Sequence, residues 1–384
     1  MIDRGPAWAN GPGRPPSIPA AAHGRASGSG ILTPGRTSGV RGCRSPGRPA
    51  AYPSGVTENV PSHQSPGALP PYHVADLLDI LDVRETGLVR RSAVADPPDP
   101  ELSAPETIAR VFTGPSQKQR YERTFGGQLL AQAIVAAART VTADPAGTSR
   151  PINSMHTTFL AGGDDTRDIR YAVESLADGR SFSTRRIEVR QGGRLLAVSI
   201  ASFQQASDTG PEASAMEHQE PMPPAPDPGS LRDVAGALAG VPEPYAPVCI
   251  LHGPIELRHT QGNLYAAPDP TLAATQTVWL RSRRQLPEDP TIHAAFLAYA
   301  SDYSILEPVL RRHGTSWADP RLRQASLDHS IWFHRPGRAD QWVLHAGHSP
   351  SACGGRGLGL GRMYAADGTL LASIAQEGML RLKQ

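Results

Sequence analysis

The chain has 384 residues, 39% of them hydrophobic, and a formal net charge of +2. That length admits two or three domains, the small net charge argues against a nucleic-acid or membrane partner, and no apolar run approaches the roughly 18 residues that span a bilayer. Cys43, Cys249 and Cys353 are odd in number and lack metal-ligand spacing, so a reducing, cytoplasmic setting is expected.

Residues 1–72 are rich in Gly, Pro, Ser and Arg, with seven arginines and only Asp3 and Glu58 as acids. A segment so poor in apolar runs cannot offset its chain entropy by burial, and a disordered low-complexity extension outside the chemistry is expected. The arginines also resemble a transit peptide or a nucleic-acid tail. Folded sequence is expected from "VADLLDILDV" (74–83), whose apolar residues recur at helical spacing. After the loop "ADPPDPELSAP" comes "FGGQLLAQAIVAAARTV" (125–141), a glycine pair leading into a run of Ala, Leu, Ile and Val. Its length and alanine content predict a helix, and a helix apolar on nearly every face must be buried.

Three strand-like runs follow: "INSMHTTFLAG", "DIRYAVESLADG" and "STRRIEVRQGGRLLAVSIASFQ", the last with "QGG" at a hairpin turn. The Pro-rich stretch 206–246 reads as a linker between a unit at 73–205 and a second at 247–384. In the second unit "VWLRSRRQLPEDP" leads to a predicted helix over 291–310, with Asp289 and Pro290 as start residues. Strand-like runs then return as "LRQASLDHSIWFHR", "QWVLHAGHSPSA" and "GLGRMYAADGTLLASIAQEGMLRLK". The closing hairpins "QGGRLLAVSIASFQ" and "ADGTLLASIAQEGM" share a turn glycine, a Leu-Leu pair and an alanine at the same offsets. A helix wrapped by a following antiparallel sheet, present twice, predicts two similar α+β units whose sheets continue edge to edge.

Several stretches, in order across residues 74–384, resemble the type II (thioesterase B-like) acyl-CoA thioesterases. They are "ERTFGGQLLAQA" (122–133), "SFSTRRIEV" (181–189), "ASFQ" (201–204), "EHQEPMPPAP" (217–226), "YASDYSIL" (299–306), "LDHSIWFHRP" (327–336) and "AQEGMLR" (375–381). The resemblance implies a double hot-dog fold that takes acyl-CoA and hydrolyses it to free fatty acid and CoA; no cofactor and no metal are expected. It also carries over three catalytic residues, all from the second half: Asp302 of "YASD", Gln376 of "AQEG", and the hydroxyl of Ser326 two residues before "DHS". Serine replaces the threonine common in that family and keeps the hydroxyl. "FLAGGD" departs from the family's Arg-Pro pair, and residues 88–110 read as an insertion.

The residues support that chemistry on their own terms. A thioester's leaving thiol has a pKa near 8.5 and needs little acid assistance, so a positioned water, a general base and a polarised carbonyl suffice. The chain has no G-x-S-x-G elbow, which disfavours a serine nucleophile. Asp302 lies on the side of the helix marked by Ile292, Ala295 and Tyr299, where partial desolvation raises a carboxyl toward a useful base; as a plain helix cap it would serve structure instead. Gln376 alternates with Leu370, Ala372, Ile374 and Gly378 on an apolar strand face, either as a site amide or as a structural one. Ser326 falls on the face of Asp328, Ser330, Trp332 and His334, opposite the apolar set of Ala325, Leu327, His329, Ile331 and Phe333. Either a bulge re-aims its hydroxyl or the Trp332 face is the inner one.

Strict alternation points His329 and His334 to opposite faces, which disfavours a shared metal. Asp328 and His329 read as hydrogen-bonding ties, and His156 as a satisfied histidine beside the sheet. The glycine pair of "FGGQ" lacks nucleotide-loop spacing and reads as close backbone packing. Arg185 and Arg186 read as CoA-phosphate contacts or as salt-bridged surface residues. Within the same fold, an enoyl-CoA hydratase would pair the Asp with a His five residues on, where this chain has Glu307, and a non-catalytic acyl-CoA-binding protein is the other alternative. A homodimer or homotetramer is compatible with open sheet edges.

Overall fold

The computed structural model describes residues 77–91, 107–119, 123–141, 149–206, 216–238 and 253–383. Residues 1–72 and the loop 95–105 lie outside these, as does the start of the segment 74–83.

In the first half, a helical turn α1 (Leu77–Ile80) precedes β1 (Arg84–Arg91), β2 (Thr107–Gly114), the helix α2 (Gly126–Ala138), β3 (Ile152–Phe159), β4 (Ile169–Asp178), β5 (Phe182–Gln191) and β6 (Arg194–Gln204). The turn α3 (Val234–Ala237) leads into β7 (Ile255–His259), β8 (Thr275–Ser282), the helices α4 (Pro290–Ser304) and α5 (Glu307–Arg312), β9 (Leu322–Ser326), β10 (Asp328–Phe333), β11 (Val343–Cys353), β12 (Arg356–Ala365) and β13 (Leu370–Leu382). The strands form one antiparallel sheet in the order β1-β2-β4-β5-β6-β3-β10-β13-β12-β11-β8-β7, with β9 beside β13. Read outward from the β3–β10 seam, the path β3-β6-β5-β4-β2-β1 is answered by β10-β13-β12-β11-β8-β7, so the connectivity occurs twice. This is the double hot-dog arrangement that the repeat and the resemblance imply. The hairpins that announced it, β5–β6 and β12–β13, pair as adjacent strands. Both ends of the stretch read as an insertion, 88–91 and 107–110, are strand.

The first half wraps α2 and the second wraps α4 and α5, and α2 and α4 also touch each other. Every residue of α2 from Gly127 to Ala137 is buried, which accounts for its largely apolar sequence. Its two amides are hydrogen-bonded in the core. Gln128 Nε2 donates to Pro115 O at 2.6 Å, and Gln132 Nε2 donates to Ile80 O at 2.6 Å, so both pin the chain on either side of β1–β2 to the helix. Among the described residues no helix is long and apolar enough to cross a membrane.

The helix α4 begins as expected, with Asp289 Oδ1 accepting from Thr291 N at 2.8 Å and Pro290 in the first turn. The single helix expected over 291–310 is instead two, broken after Ser304. Pro308 has no N–H to give to the Ser304 carbonyl, and the Ile305 carbonyl is pressed onto β12, where a Cβ on Gly359 would lie 2.1 Å from it. Gly357, Gly359 and Gly361 alternate along β12 and leave room for Val309, Ile305 and His345 respectively. The glycine row seats the α4–α5 break, and the break ends α4 just beyond Asp302.

Between β9 and β10 the register against β13 slips by one residue: Ser326 pairs with Gly378, but Ser330 pairs with Ala375. Of the two open readings for Ser326, the bulge is the one the structure shows, since His329 and Ile331 are fully buried while Trp332 is exposed. Glu377 N, which the slip deprives of a ladder partner, donates instead to Asp328 Oδ1 at 2.8 Å. Asp328 therefore ties strands, as expected. Asp328→Ala should cost about 2 kcal/mol in urea unfolding, because it leaves that N–H unpaired, and Asp328→Asn, which keeps an acceptor, should cost clearly less.

The linker's described part, 216–238, lies along the second half. Met222, Ala225 and Leu231 pack on Trp279, Leu344, Tyr364 and Leu370, and Trp279 Nε1 donates to Pro226 O at 2.8 Å.

Candidate active site

Asp302 lies in the last turn of α4, the end at which a helix dipole disfavours an anion. The opposite pole of another helix meets it there. Gly127 N, in the first turn of α2, donates to Asp302 Oδ2 at 2.8 Å, and Gln376 Nε2 on β13 donates to Asp302 Oδ1 at 2.8 Å. The second hydrogen of the Gln376 amide goes to Ser326 Oγ at 3.0 Å. The three residues carried over from the sequence are thus one connected group, supplied by α4, β9 and β13. The carboxylate's second oxygen is held from the other half of the chain.

The glycine pair of "FGGQ" is what allows this contact. A Cβ on Gly126 would stand 2.7 Å from Asp302 Oδ2, and one on Gly127 would stand 2.4 Å from the Tyr299 carbonyl oxygen. Around the carboxylate, Phe125 lies 5.2 Å from Tyr299 and 4.7 Å from Tyr303, ring centre to ring centre. Burial pushes the Asp302 carboxyl up to about 6, against the pull of the Gln376 and Gly127 N–H groups, which favour the anion. The residue as a whole is only half-buried, so a water molecule has a route to a carboxylate that is nonetheless poorly solvated.

His329 completes the group. It is fully buried on β10, its Nδ1 meets Gln376 Oε1, and its Nε2 lies 3.0 Å from Ser301 Oγ on α4. It does tie strand to strand and strand to helix, as the sequence suggested, but the tie runs through the amide that holds Asp302. The signal was present: His329, like Gln376, is a polar residue in the apolar set of its strand. Gly127 was readable only as packing, because a backbone donor leaves no mark in side-chain chemistry.

Two family models match the chain, one described as the acyl-CoA thioesterase N-terminal domain over residues 114–204 and one as acyl-CoA thioesterase over residues 267–379. The chain is 35% identical to acyl-CoA thioesterase 2 of Haemophilus influenzae, covering 71% of its own length and 93% of that protein. The chain belongs to the type II acyl-CoA thioesterase family. This thioesterase is also 35% identical to human acyl-coenzyme A thioesterase 8, over 68% of the chain and 82% of that protein. Among solved structures, the acyl-CoA thioesterase II TesB2 of Mycobacterium marinum matches with a TM-score of 0.58 at 32% identity, covering 80% of this chain and 99% of that one. A hot dog fold protein of Alicyclobacillus acidocaldarius, 20% identical with a TM-score of 0.55 over 72% of this chain and 94% of its own, shares the fold.

The remaining candidates of this thioesterase lie away from the carboxylate. Arg185 is not a surface residue. It is 2% exposed, pairs with Asp178 at 2.8 Å and donates to Thr140 Oγ1 at 2.8 Å, fastening β5 to the end of α2. Arg186 is the surface ion pair, 3.0 Å from Glu188. His156 Nδ1 lies 3.0 Å from Ser330 Oγ on the outer face of the sheet, and His334 Nε2 lies 2.8 Å from Ser373 Oγ, away from His329. An open groove of about 530 Å³ over the β3–β10 seam is lined mainly by outward-facing residues such as His156, Ile200 and Ser330, and holds none of Asp302, Ser326 and Gln376. Among the described residues no group of His, Cys, Asp and Glu is placed to hold a metal ion.

Proposed function

We propose that this thioesterase hydrolyses acyl-CoA by direct attack of a water molecule, with Asp302 as the general base and Gln376 and Ser326 as the groups that hold the base and the water. The single observation that supports this most is the two-point grip of Gln376 on Asp302 and Ser326. Each Asp302 oxygen has one donor and a free lone pair, and Ser326 Oγ, having accepted from Gln376, still has its own hydrogen to give. A water bridging Asp302 and Ser326 is then oriented by both. Asp302 takes the water's proton as oxygen attacks the thioester carbonyl carbon; the C–S bond breaks on collapse, and the proton passes from Asp302 to the departing sulfur. Fatty acid and CoA thiol leave, and the carboxylate is restored.

The test is purified protein given acyl-CoAs of graded chain length while free thiol is followed. Acyl-CoA binding without thiol release would reject the reading. Within the group, Gln376→Ala should lower kcat by about 10²-fold, since it unpins both partners. Ser326→Ala should lower it about tenfold, the worth of one hydrogen bond, and Ser326→Thr should stay within about threefold of the parent because it keeps the hydroxyl. A threonine variant as poor as the alanine one would remove Ser326 from the water-holding group.

The proposal extends to a homodimer or homotetramer in the cytoplasm. Exposed Trp332 and Ile200 on the outer sheet face support association, and the free, exposed thiol of Cys353 supports a reducing compartment. Light scattering on the eluted protein reads the first.

A further inference from the structure

We propose that His329 is a positioning residue for this hydrolysis: its Nδ1–H holds the Gln376 side-chain amide in the one orientation that turns the nitrogen toward Asp302 and Ser326. The inference rests on the reading of Asp302, Gln376 and Ser326 as the water-holding group, and concerns what makes that group adopt a single state.

A primary amide is nearly symmetric in shape, and two carboxamide orientations fill the same space with opposite polarity. In the observed orientation Gln376 Nε2 donates to Asp302 Oδ1 and to Ser326 Oγ, so both its hydrogens are used and Oε1 must accept. The group at Oε1 is His329 Nδ1, so Nδ1 carries the ring proton and Nε2 is a lone pair. Ser301 Oγ donates to Ala298 O at 2.9 Å and stands 3.0 Å from that lone pair, so its one hydrogen is shared between the carbonyl and the ring. From the ring onward the donors run in one direction: His329 to Gln376, and Gln376 to Asp302 and Ser326. Reversing the run would set the amide oxygen against the carboxylate of Asp302, oxygen against oxygen, so the ionised base and the histidine tautomer select each other.

Burial supports a neutral ring. His329 is fully enclosed and its imidazole is pushed down to about 4, so it is unprotonated wherever a thioesterase is assayed near neutrality. The groups facing this corner from each packed element are few. The first turn of α2 presents the Gly127 backbone N–H, β9 and β13 present neutral Ser326 and Gln376, and β11 presents His345, which burial and its neighbour His329 also push down to about 4. Asp302 is therefore the group whose titration sets the acid limb of activity.

The experiment compares His329→Leu, His329→Asn and Asp302→Asn with the parent. Leucine fills the space without a donor, and asparagine can place its amide N–H where Nδ1–H stood. His329→Leu should lower kcat on the order of 10- to 100-fold, with KM moving less than about threefold. Its acid limb should move to higher pH, because a freed amide no longer favours the Asp302 anion. His329→Asn should recover kcat to within about fivefold and return the limb. A merely structural role would lower the folded fraction without moving the limb. Parent-like kcat and acid limb in His329→Leu, with Asp302→Asn inactive, would overturn the inference and leave the base assignment standing; full activity in Asp302→Asn would overturn both. Should the leucine variant not fold, imidazole ¹⁵N shifts of the unmodified protein decide. The Nδ1–H tautomer, unchanged from pH 5 to 9, supports the assignment, and the Nε2–H tautomer sinks it.

Discussion

Asp302→Asn is expected to lower kcat for acyl-CoA by about 10³-fold while KM stays within a small factor, since the substitution removes proton transfer and leaves the surrounding shape. In the parent, kcat/KM should fall with decreasing pH as one group with a value of about 6 takes up a proton, because only the anion accepts the water's hydrogen. The same shift has a consequence for stability of definite sign. A carboxyl whose folded value lies above its unfolded one stabilises the fold below the unfolded value and loses that contribution as pH rises through about 6. The stability difference between Asp302→Asn and the parent should therefore move in the variant's favour from pH 5 to pH 8, whatever constant penalty the new amide brings. Urea unfolding at the two pH values reads this directly. A difference that moved the other way would mean that the ionised carboxylate is better solvated in the fold than its enclosure implies.

What the sequence disclosed and what it withheld divide along physical lines. Apolar content exposed α2 and α4, because burial of nearly all of α2 and of one side of α4 leaves mostly apolar runs, and the two closing hairpins exposed the repeat, because a turn glycine and paired leucines recur at matching offsets. Asp302 and Gln376 were visible as polar residues in apolar patterns. Ser326 was not, since a one-residue slip between Ser326 and Ser330 reverses the face that strict alternation assigns. The end of α4 was also misread: the apolar run continues through Ile305, Leu306, Val309 and Leu310, and the break rests on Pro308 together with the close seat of Ile305 on Gly359 of β12. Arg185 looked like a surface cation because its partners, Asp178 and Thr140, come from elsewhere in the chain. The donor from Gly127 is the furthest from sequence, since it needs the helix of one half to end on the carboxylate of the other.

Gly359→Ala should be the most damaging single methyl in the second half. A Cβ at this position would lie 2.1 Å from the Ile305 carbonyl oxygen and 3.0 Å from its carbon. These are backbone atoms, so no side-chain rotation relieves the overlap, and β12 or the α4–α5 junction must move. β12 is held between β11 and β13, with Gly359 directly opposite Gln376, and Ile305 is three residues past Asp302. Whichever side yields, the distance between the base and the amide that grips it changes. The expected loss is about 3 kcal/mol in denaturant midpoint analysis, with kcat down at least about tenfold in the molecules that stay folded. Gly357→Ala is the matched control, because its Cβ would meet side-chain carbons, Val309 Cγ1 at 2.8 Å and Cγ2 at 2.9 Å, rather than backbone. That variant should lose clearly less stability and keep most of its activity. If the two glycines proved equally tolerant, the close seat of Ile305 on β12 would not be what holds Asp302 in register with Gln376.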